Sequence, residues 1–509
     1  MNGTGFVTVR TEEAIPRSRI APLAFADFRR FLVNAVACGQ QVAALFGDTS
    51  KATGNVALYA VLTDSDHSQL QVGRTTLDAD RFESLTPDCP AVHLFERELA
   101  EQYGVRPEGH PWLKPVRFHS SYRPGHDAWD RAPGETPMIG VTEFYRVEGE
   151  EIHEVAVGPV HAGVIEPGHF RFQCHGEEVF HLEVSLGYQH RVAERTLVNG
   201  PNKRTIHTME TVSGDTSIGH AMAYCQAVEA LSGCHVSIRA EVLRGIALEL
   251  ERLANHTGDL GALAGDVGYL PTASYCGRIR GDFLNLTALV CGSRFGRGLV
   301  RPGGVGFDLD EPRRQQFLAR LEAAYSDVDT ATNLLWNSAS VQARFDGTGV
   351  VEQQACRKLG MVGPVARACG VERDARHDHP CGIFRFAQVP VSTWTTGDVF
   401  ARAYVRWLEI QRSTAFIREQ LNALPHGPVL EEIQPLKADH LVVTLVEGWR
   451  GEICHVALTD SQGKFARYKV VDPSFHNWAG LAMALRNQQI SDFPLCNKSF
   501  NLSYCGHDL

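Results

Sequence analysis

Thirteen cysteines are the first residues to weigh for chemistry in this chain of 509. Thiolates are the soft ligands that zinc, nickel and iron–sulfur clusters prefer, and such sites draw their ligands in close pairs. Here the nearest pairs, Cys225/Cys234 and Cys496/Cys505, are nine residues apart and no C-x-x-C occurs. That spacing argues against a zinc ribbon, a thioredoxin-type motif or a self-contained iron–sulfur site. Carboxylates and imidazoles offer other chemistry. Arg252, His256 and Asp259 recur at intervals of four and three, which aligns them on one helical face. Such a stripe either passes protons or forms a solvated, salt-bridged surface. Asp374, His377, Asp378, His379 and Cys381 fall on a loop, but a metal site needs convergent geometry and supporting hydrogen bonds. That segment reads as surface. In HGEEVFHLE, His175 and His181 fall on a strand and its turn, without the helical H-E-x-x-H spacing of a zinc protease.

The elements that must position these groups give an α+β pattern. Residues 1–118 read as a small α/β unit. It has helical spacing over 25–45, strands in NVALYAVLTD and SQLQVGRTTLD, and a short helix, HLFERELAEQYG, ended by Gly104. Residues 119–135, HSSYRPGHDAWDRAPGE, lack periodicity and read as a linker. Residues 136–509 read as a large, mainly helical unit with a β-rich opening, GVTEFYRVEGEEIHEVAVGPVHAG and HFRFQCHGEEVFHLEVSLG. Within it Ile238, Val242, Ile246, Leu250 and Leu253 mark a helix with Ser237 as N-cap. Phe400, Tyr404, Trp407 and Leu408 mark another between Asp398 and Pro425.

Hydrophobic residues at 44% and charged residues at 21% are globular values. A net charge of −10 without a basic block argues against nucleic acid as a partner. The N-terminus lacks a secretory layout, and no window approaches the roughly 18 apolar residues of a membrane span. The expectation is a soluble chain with reduced thiols, or one docked on a membrane subunit.

LFERELAEQYGVRPEGHPWLKPVRF resembles the C-type subunit of NADH–quinone oxidoreductase (complex I), whose signature is an ERE helix, then YG, then EGHP. Beyond the linker, GPVHAGVIEPGHFRFQCHGEEV, LGYQHRVAE, AYCQAVEAL, ELERLANHTGDLGALAGDVGYLP, RPGGV, GDVFARAYVRWLEIQRS, VEGWRGE and DPSFHNWAGL follow in order. These resemble the D-type subunit of complex I and the related large subunits of nickel–iron hydrogenases. The fused arrangement is similar to large subunits of the hydrogenlyase and hydrogenase-4 types. The resemblance implies a domain like the C-type complex I subunit, followed by a domain like the D-type subunit and the hydrogenase large subunit.

It also implies a metal site. Hydrogenases of this kind hold nickel and iron with thiolates from an N-terminal C-G-x-C and a C-terminal D-P-C-x-x-C. Aligned on AYCQAVE and DFPL, the four ligand positions fall on Ser213, Thr216, Ser503 and Gly506. Hydroxyls are poor nickel ligands and glycine offers none. The expectation is therefore no nickel–iron centre held by this chain and an iron–sulfur cluster in a partner subunit, with quinone left open as a ligand. The quinone head-group residues of the D-type subunit fall on Pro167, near Thr211 and on Asp266, and of these only the Asp matches. Glu166 matches a proton-relaying Glu beside the hydrogenase site, and His161 and His220 match histidines near that cavity. With Arg252, His256, Asp259 and Asp266 they make up a candidate proton relay and cavity lining.

The function implied is a peripheral-arm subunit of a membrane-bound respiratory oxidoreductase complex, on the cytoplasmic side, coupling electron or proton transfer to ion translocation. Its partners would be a small subunit bearing an iron–sulfur cluster, antiporter-like membrane subunits and a donor dehydrogenase. Two alternatives remain. One is a quinone-reducing subunit with altered head-group residues, and the other a non-catalytic scaffold.

Overall fold

The structure, a computed structural model, describes residues 5–49, 54–132, 135, 137–161 and 165–509. Its fold is mixed α+β. The first unit is built on a sheet in the order Val7–Val9, Gln69–Thr76, Val56–Asp64, Gln41–Thr49, with Pro22–Leu23 running parallel to Gln69–Thr76. The strands are apolar runs with few interruptions, because the sheet is covered on both faces. Helix Phe25–Ala37 covers it with Phe28 and Leu32. The helical spacing expected over 25–45 therefore stops early. Gly39, at φ 98°, turns the chain, and Leu45 lies inside a strand. A continuous apolar run fits both periodicities, which is why the boundary misled.

Helix His93–Tyr103 ends as expected at Gly104, which is left-handed at φ 64°. A Cβ there would lie 2.5 Å from the His126 backbone, so the glycine is required twice over. The glutamates of its ERE motif are buried and fully engaged. Glu96 accepts from Ser84, Leu85 and Thr86. Glu98 holds Lys469 Nζ at 2.7 Å and also takes Arg117.

In the second unit, strands Ile152–Val157, His169–His175 and Glu178–Ser185 form a meander. Residues 140–151, expected as strand, are irregular and largely exposed: their alternation finds no strand edge to pair with. The long helix Ile238–Asp266 is capped by Ser237, which accepts from Ala240 N, and packs on Leu270–Cys291 and Val399–Asn422. Asp398 caps Val399–Asn422.

A sheet the sequence reading missed joins the two units. Strands His440–Gly448, Gly451–Thr459 and Phe465–Val471 form a meander with Ile15–Pro16 at its edge. Leu441, Val443, Leu445, Cys454, Val456 and Leu458 share the first unit's core. The intervening Val442, Val446, Ile453 and Ala457 share the core of the helices. One sheet thus closes two cores. The segment read as a linker is packed along this shared body. His119 stacks on Tyr122 and His190 at 4.9 Å each, and Asp80 receives Arg123 and His126. Residues 133 and 134 of that segment, and 162–164 of the GPVHAGVIEPG motif, lie outside the described residues. All thirteen cysteines are free thiols, and all but Cys38, Cys234 and Cys505 are buried, as small apolar residues are.

Candidate functional site

Helix ends gather the four positions aligned with metal ligands. Ser503 caps the short helix Tyr504–His507, its Oγ accepting from Gly506 N at 2.9 Å. Its own N–H donates to Ser474 Oγ at 2.8 Å, and Asp472 caps helix Pro473–Ala484, in whose first turn Ser474 lies. Ser213 and Thr216 precede helix Ser217–Ser232, and Ser213 Oγ lies 2.9 Å from Ser503 Oγ. Thr216 does not cap that helix. Glu251, from the long helix, accepts from Ile218 N at 2.7 Å and Gly219 N at 3.2 Å instead. Burial pushes Glu251 up to about 8, with the two N–H donors opposing.

The turn Trp449–Arg450, between two strands of the joining sheet, fills the space among these groups. Arg450 forks onto Asp215, Nη1 to Oδ1 at 2.5 Å and Nη2 to Oδ2 at 2.8 Å. Nη1 also lies 3.4 Å from Ser213 Oγ and 3.3 Å from Thr216 Oγ1, and Nε donates to the Asn501 carbonyl at 2.5 Å. The guanidinium sits 3.9 Å from the Trp449 ring centroid. Burial works to raise Asp215, but the Arg450 charge overcomes it and holds the carboxyl below its usual range.

Gly506 is where this cluster is tightest. A Cβ on it would lie 2.6 Å from Asp472 Cγ, so the Asp472 carboxylate occupies the room a side chain would need. Gly506→Ala is expected to cost about 1–3 kcal/mol by overpacking, and to cost much less in an Asp472→Ala background. Denaturant unfolding of the four variants measures this coupling. Equal costs in both backgrounds would show that the carboxylate is not what the glycine accommodates.

Asp472 begins a buried hydrogen-bonded chain. His220 Nε2 lies 3.0 Å from Asp472 Oδ2, His220 Nδ1 3.1 Å from His455 Nε2, and His455 Nδ1 2.9 Å from Tyr468 Oη. Burial, with the charge of His220 second, pushes His455 well below the usual histidine range. Asp472 is held below its usual value by His220, against burial. An ionised Asp472 only accepts, so His220 donates to it through Nε2.

The Arg252–His256–Asp259 stripe is wholly buried, so it is no solvated face. Glu409 is its hub. His256 Nε2 lies 2.9 Å and Arg252 Nη1 3.3 Å from Glu409 Oε2, and Arg367 Nη2 is 2.7 Å from Oε1. Arg252 also donates to Glu249 at 3.1 Å and to the Glu447 and Gly448 carbonyls. Asp259 takes Arg406 at 2.7 Å and the Asn501 amide at 2.5 Å. Asn501 therefore links the two clusters, through its carbonyl to Arg450 and its amide to Asp259.

Other expected residues lie elsewhere. His161, Glu166 and Pro167 are exposed. Glu166 accepts from Gln189 at 3.0 Å at an exposed position. Thr211 bonds the His207 and Thr208 carbonyls, and Asp266 is held by Lys498 at 2.6 Å. Pro167, Thr211 and Asp266 share no polar contact. The loop read as surface is largely buried. Asp374 lies 2.5 Å from Arg376, Cys381 packs against the Leu445 carbonyl, and only His377 is well exposed. Among the described residues, no three His, Cys, Asp or Glu side chains converge on a metal position.

Sequence reasoning missed Asp215, Glu251, Arg367, Glu409, Arg450 and Asp472. The usable signal was in HLVVTLVEG and GEICHVALT: two β-branched runs around a two-residue turn predict a hairpin, and the turn carries Arg450.

Comparison with known proteins agrees with this architecture. Residues 266–440 match the model of the respiratory-chain NADH dehydrogenase 49 Kd subunit, and residues 19–132 that of the 30 Kd subunit. Formate hydrogenlyase subunit 5 of Escherichia coli (strain K12) is 29% identical over 487 residues, covering 92% of this chain and 84% of that protein. Hydrogenase-4 component G of the same organism is 30% identical over 473 residues, covering 90% and 82%. NADH-quinone oxidoreductase subunit 4 of Thermus thermophilus is 30% identical over 387 residues, covering 70% and 94%. The chain belongs to the family that joins the 30 Kd and 49 Kd subunits of respiratory NADH dehydrogenase in one polypeptide, together with formate hydrogenlyase subunit 5 and hydrogenase-4 component G.

Proposed function

We propose that this chain is the peripheral-arm subunit of a membrane-bound respiratory oxidoreductase complex, coupling electron or proton transfer to ion translocation without a nickel–iron centre of its own. Its relatives support membership of a complex related to NADH–quinone oxidoreductase. The observation that carries the metal-free reading is the donor set. Ser213, Thr216 and Ser503 offer neutral hydroxyls and Gly506 offers nothing. The Arg450 guanidinium, within 3.4 Å of two of those hydroxyls, brings positive charge to the place of a divalent ion. These residues do not fit nickel and iron.

What the chain's own groups do, on this reading, is hold and move protons in a dry interior. His256 against Glu409, and His220 between Asp472 and His455, are imidazoles fixed by hydrogen bonds on buried partners. Among the described residues no helix is long and apolar enough to cross a membrane. Antiporter-like membrane subunits would supply the spanning segments, a small subunit the iron–sulfur cluster, and a donor dehydrogenase the electrons.

The test is made on the purified complex. Metal analysis is expected to find iron but no nickel. His256→Gln, which keeps a polar side chain but removes the titratable ring, is expected to lower coupled turnover roughly a hundredfold while the complex still assembles. Stoichiometric nickel would overturn the metal-free reading. Unchanged turnover in the variant would make the chain a scaffold.

A further inference from the structure

Two glutamates face each other beside the Trp449–Arg450 turn. Glu447 and Glu452 are direct partners in the antiparallel register, so their side chains leave the same face of the sheet with Cβ atoms about 5 Å apart. Their surroundings differ sharply. Glu447 Oε1 accepts from Arg367 Nη1 at 2.8 Å and Oε2 from Ala375 N at 3.0 Å, with Asp374, Arg252 and Arg376 close by. Glu452 Oε1 is sealed from solvent with no hydrogen-bond partner among the described residues.

Three charged groups face Glu452: Glu447, Arg373 and Asp378. Arg373 is engaged elsewhere, by Gln41 Oε1 and the Gly39 carbonyl of the first unit. Asp378 accepts from Asp374 N at 3.1 Å and lies 2.9 Å from His377, whose side chain is 56% exposed. A carboxylate with an orphaned oxygen, opposite a second carboxylate, is strongly disfavoured. Burial and the Asp374 charge push Glu447 up to about 7 against Arg367, but both its oxygens accept from N–H donors, so the proton of the facing pair belongs on Glu452. The neutral acid relieves both penalties, and the partly exposed residue can exchange its proton with solvent.

We propose that Glu452, facing Glu447, is a proton-binding site: at neutral pH the pair holds a proton on Glu452, loaded from the surface beside Asp378 and His377. The proton moves from solvent to a Glu452 carboxylate oxygen, and no other bond changes. Arg367 bridges Glu447 to Glu409 and cannot give up a proton. The charge state of Glu452 therefore reaches the His256 site as an electrostatic bias. That last link rests on the proton-relay reading above, and the proton on Glu452 does not.

Burial, with Glu447 second, pushes Glu452 up to about 8. Infrared difference spectra of the full chain, taken between acidic and alkaline pH, should therefore show a protonated-carboxyl band titrating near pH 8. Glu251 lies in the same range, and Glu447 and Glu12 are raised to about 7, so the readout is the difference between wild type and variant. Glu452→Gln is expected to lose one carboxyl band, and Glu447→Gln to shift the Glu452 midpoint downward by removing the facing carboxylate. Glu452→Ala serves as a second variant should Glu452→Gln fold poorly. An unchanged spectrum in the Glu452 variants, or no downward shift in Glu447→Gln, would overturn the proposal. These measurements need no complex, so they fail or succeed separately from coupled turnover.

Discussion

Glu409→Ala is expected to destabilise the protein by about 3–5 kcal/mol, the range for removing one partner of a buried ion pair. Arg252, Arg367 and His256 all converge on this one carboxylate, and all are fully buried. The two guanidiniums cannot shed a proton. Arg252 keeps Glu249 and two carbonyls, and Arg367 keeps Glu447 and the Arg373 carbonyl. The loss is therefore large without being total. Glu409→Gln preserves the shape and should fall between wild type and alanine.

Burial alone would raise Glu409, but Arg367, His256 and Arg252 hold it well below the usual carboxylate range. A depressed folded pKa contributes stability above the unfolded value, about 4.3, and that contribution fades as pH falls through the folded value. The gap between wild type and Glu409→Gln should thus be flat from about pH 5 upward and narrow in acid. Denaturant midpoints across that range measure it. A Glu409→Gln midpoint equal to wild type at neutral pH would mean that the two guanidiniums are compensated elsewhere.

The parts of this architecture that were legible in the sequence are those where one local rule dominates. Ser237 and Asp398 sit before clean helical periods, and both cap their helices through the expected side-chain bond. Gly104 ends its helix because only a glycine tolerates both the left-handed turn and the backbone beside it. The joining sheet was not read, because strands buried on both faces lose the alternation that marks a half-exposed strand. His440–Gly448 is buried along almost its whole length, with odd residues in one core and even residues in the other.

The site suffered from the same blind spot. Four positions could be placed by resemblance, and the structure brings Ser213, Thr216 and Ser503 together. What fills the space between them, Arg450 and Asp472, comes from the sheet and the helix after it. Nothing in the spacing of Ser213 or Ser503 points to either. The stripe on the long helix illustrates the converse. Its spacing was visible, but burial decides between relay and surface, and burial depends on Glu409 and Arg367 more than a hundred residues away.

Arg450→Met should produce the second large effect, a loss of about 3 kcal/mol, assembled from charge-assisted hydrogen bonds worth about 1.5–3 kcal/mol each. The variant keeps the apolar stem but removes both bonds to Asp215, the bond to the Asn501 carbonyl and the contact with the Trp449 face. Asp215 is 32% exposed at its side chain, so water takes over part of its solvation and the cost stays below that of a sealed charge. Arg450→Lys should be intermediate, since an ammonium keeps the charge without the fork.

The sign of the pH dependence follows from Asp215, which Arg450 holds below its usual range against burial. The penalty should be full at neutral pH and shrink below about pH 3.9, where unfolded aspartate protonates. Asp215→Asn in the Arg450→Met background should recover part of the loss, because the charge left unpaired is then gone. Strict additivity of the two substitutions in denaturant unfolding would sink the argument. If the coupling is found, the guanidinium does thermodynamically what a bound cation does elsewhere: it draws acidic and hydroxyl groups from separate helices onto one point. The difference is that this cation is a side chain of the protein itself.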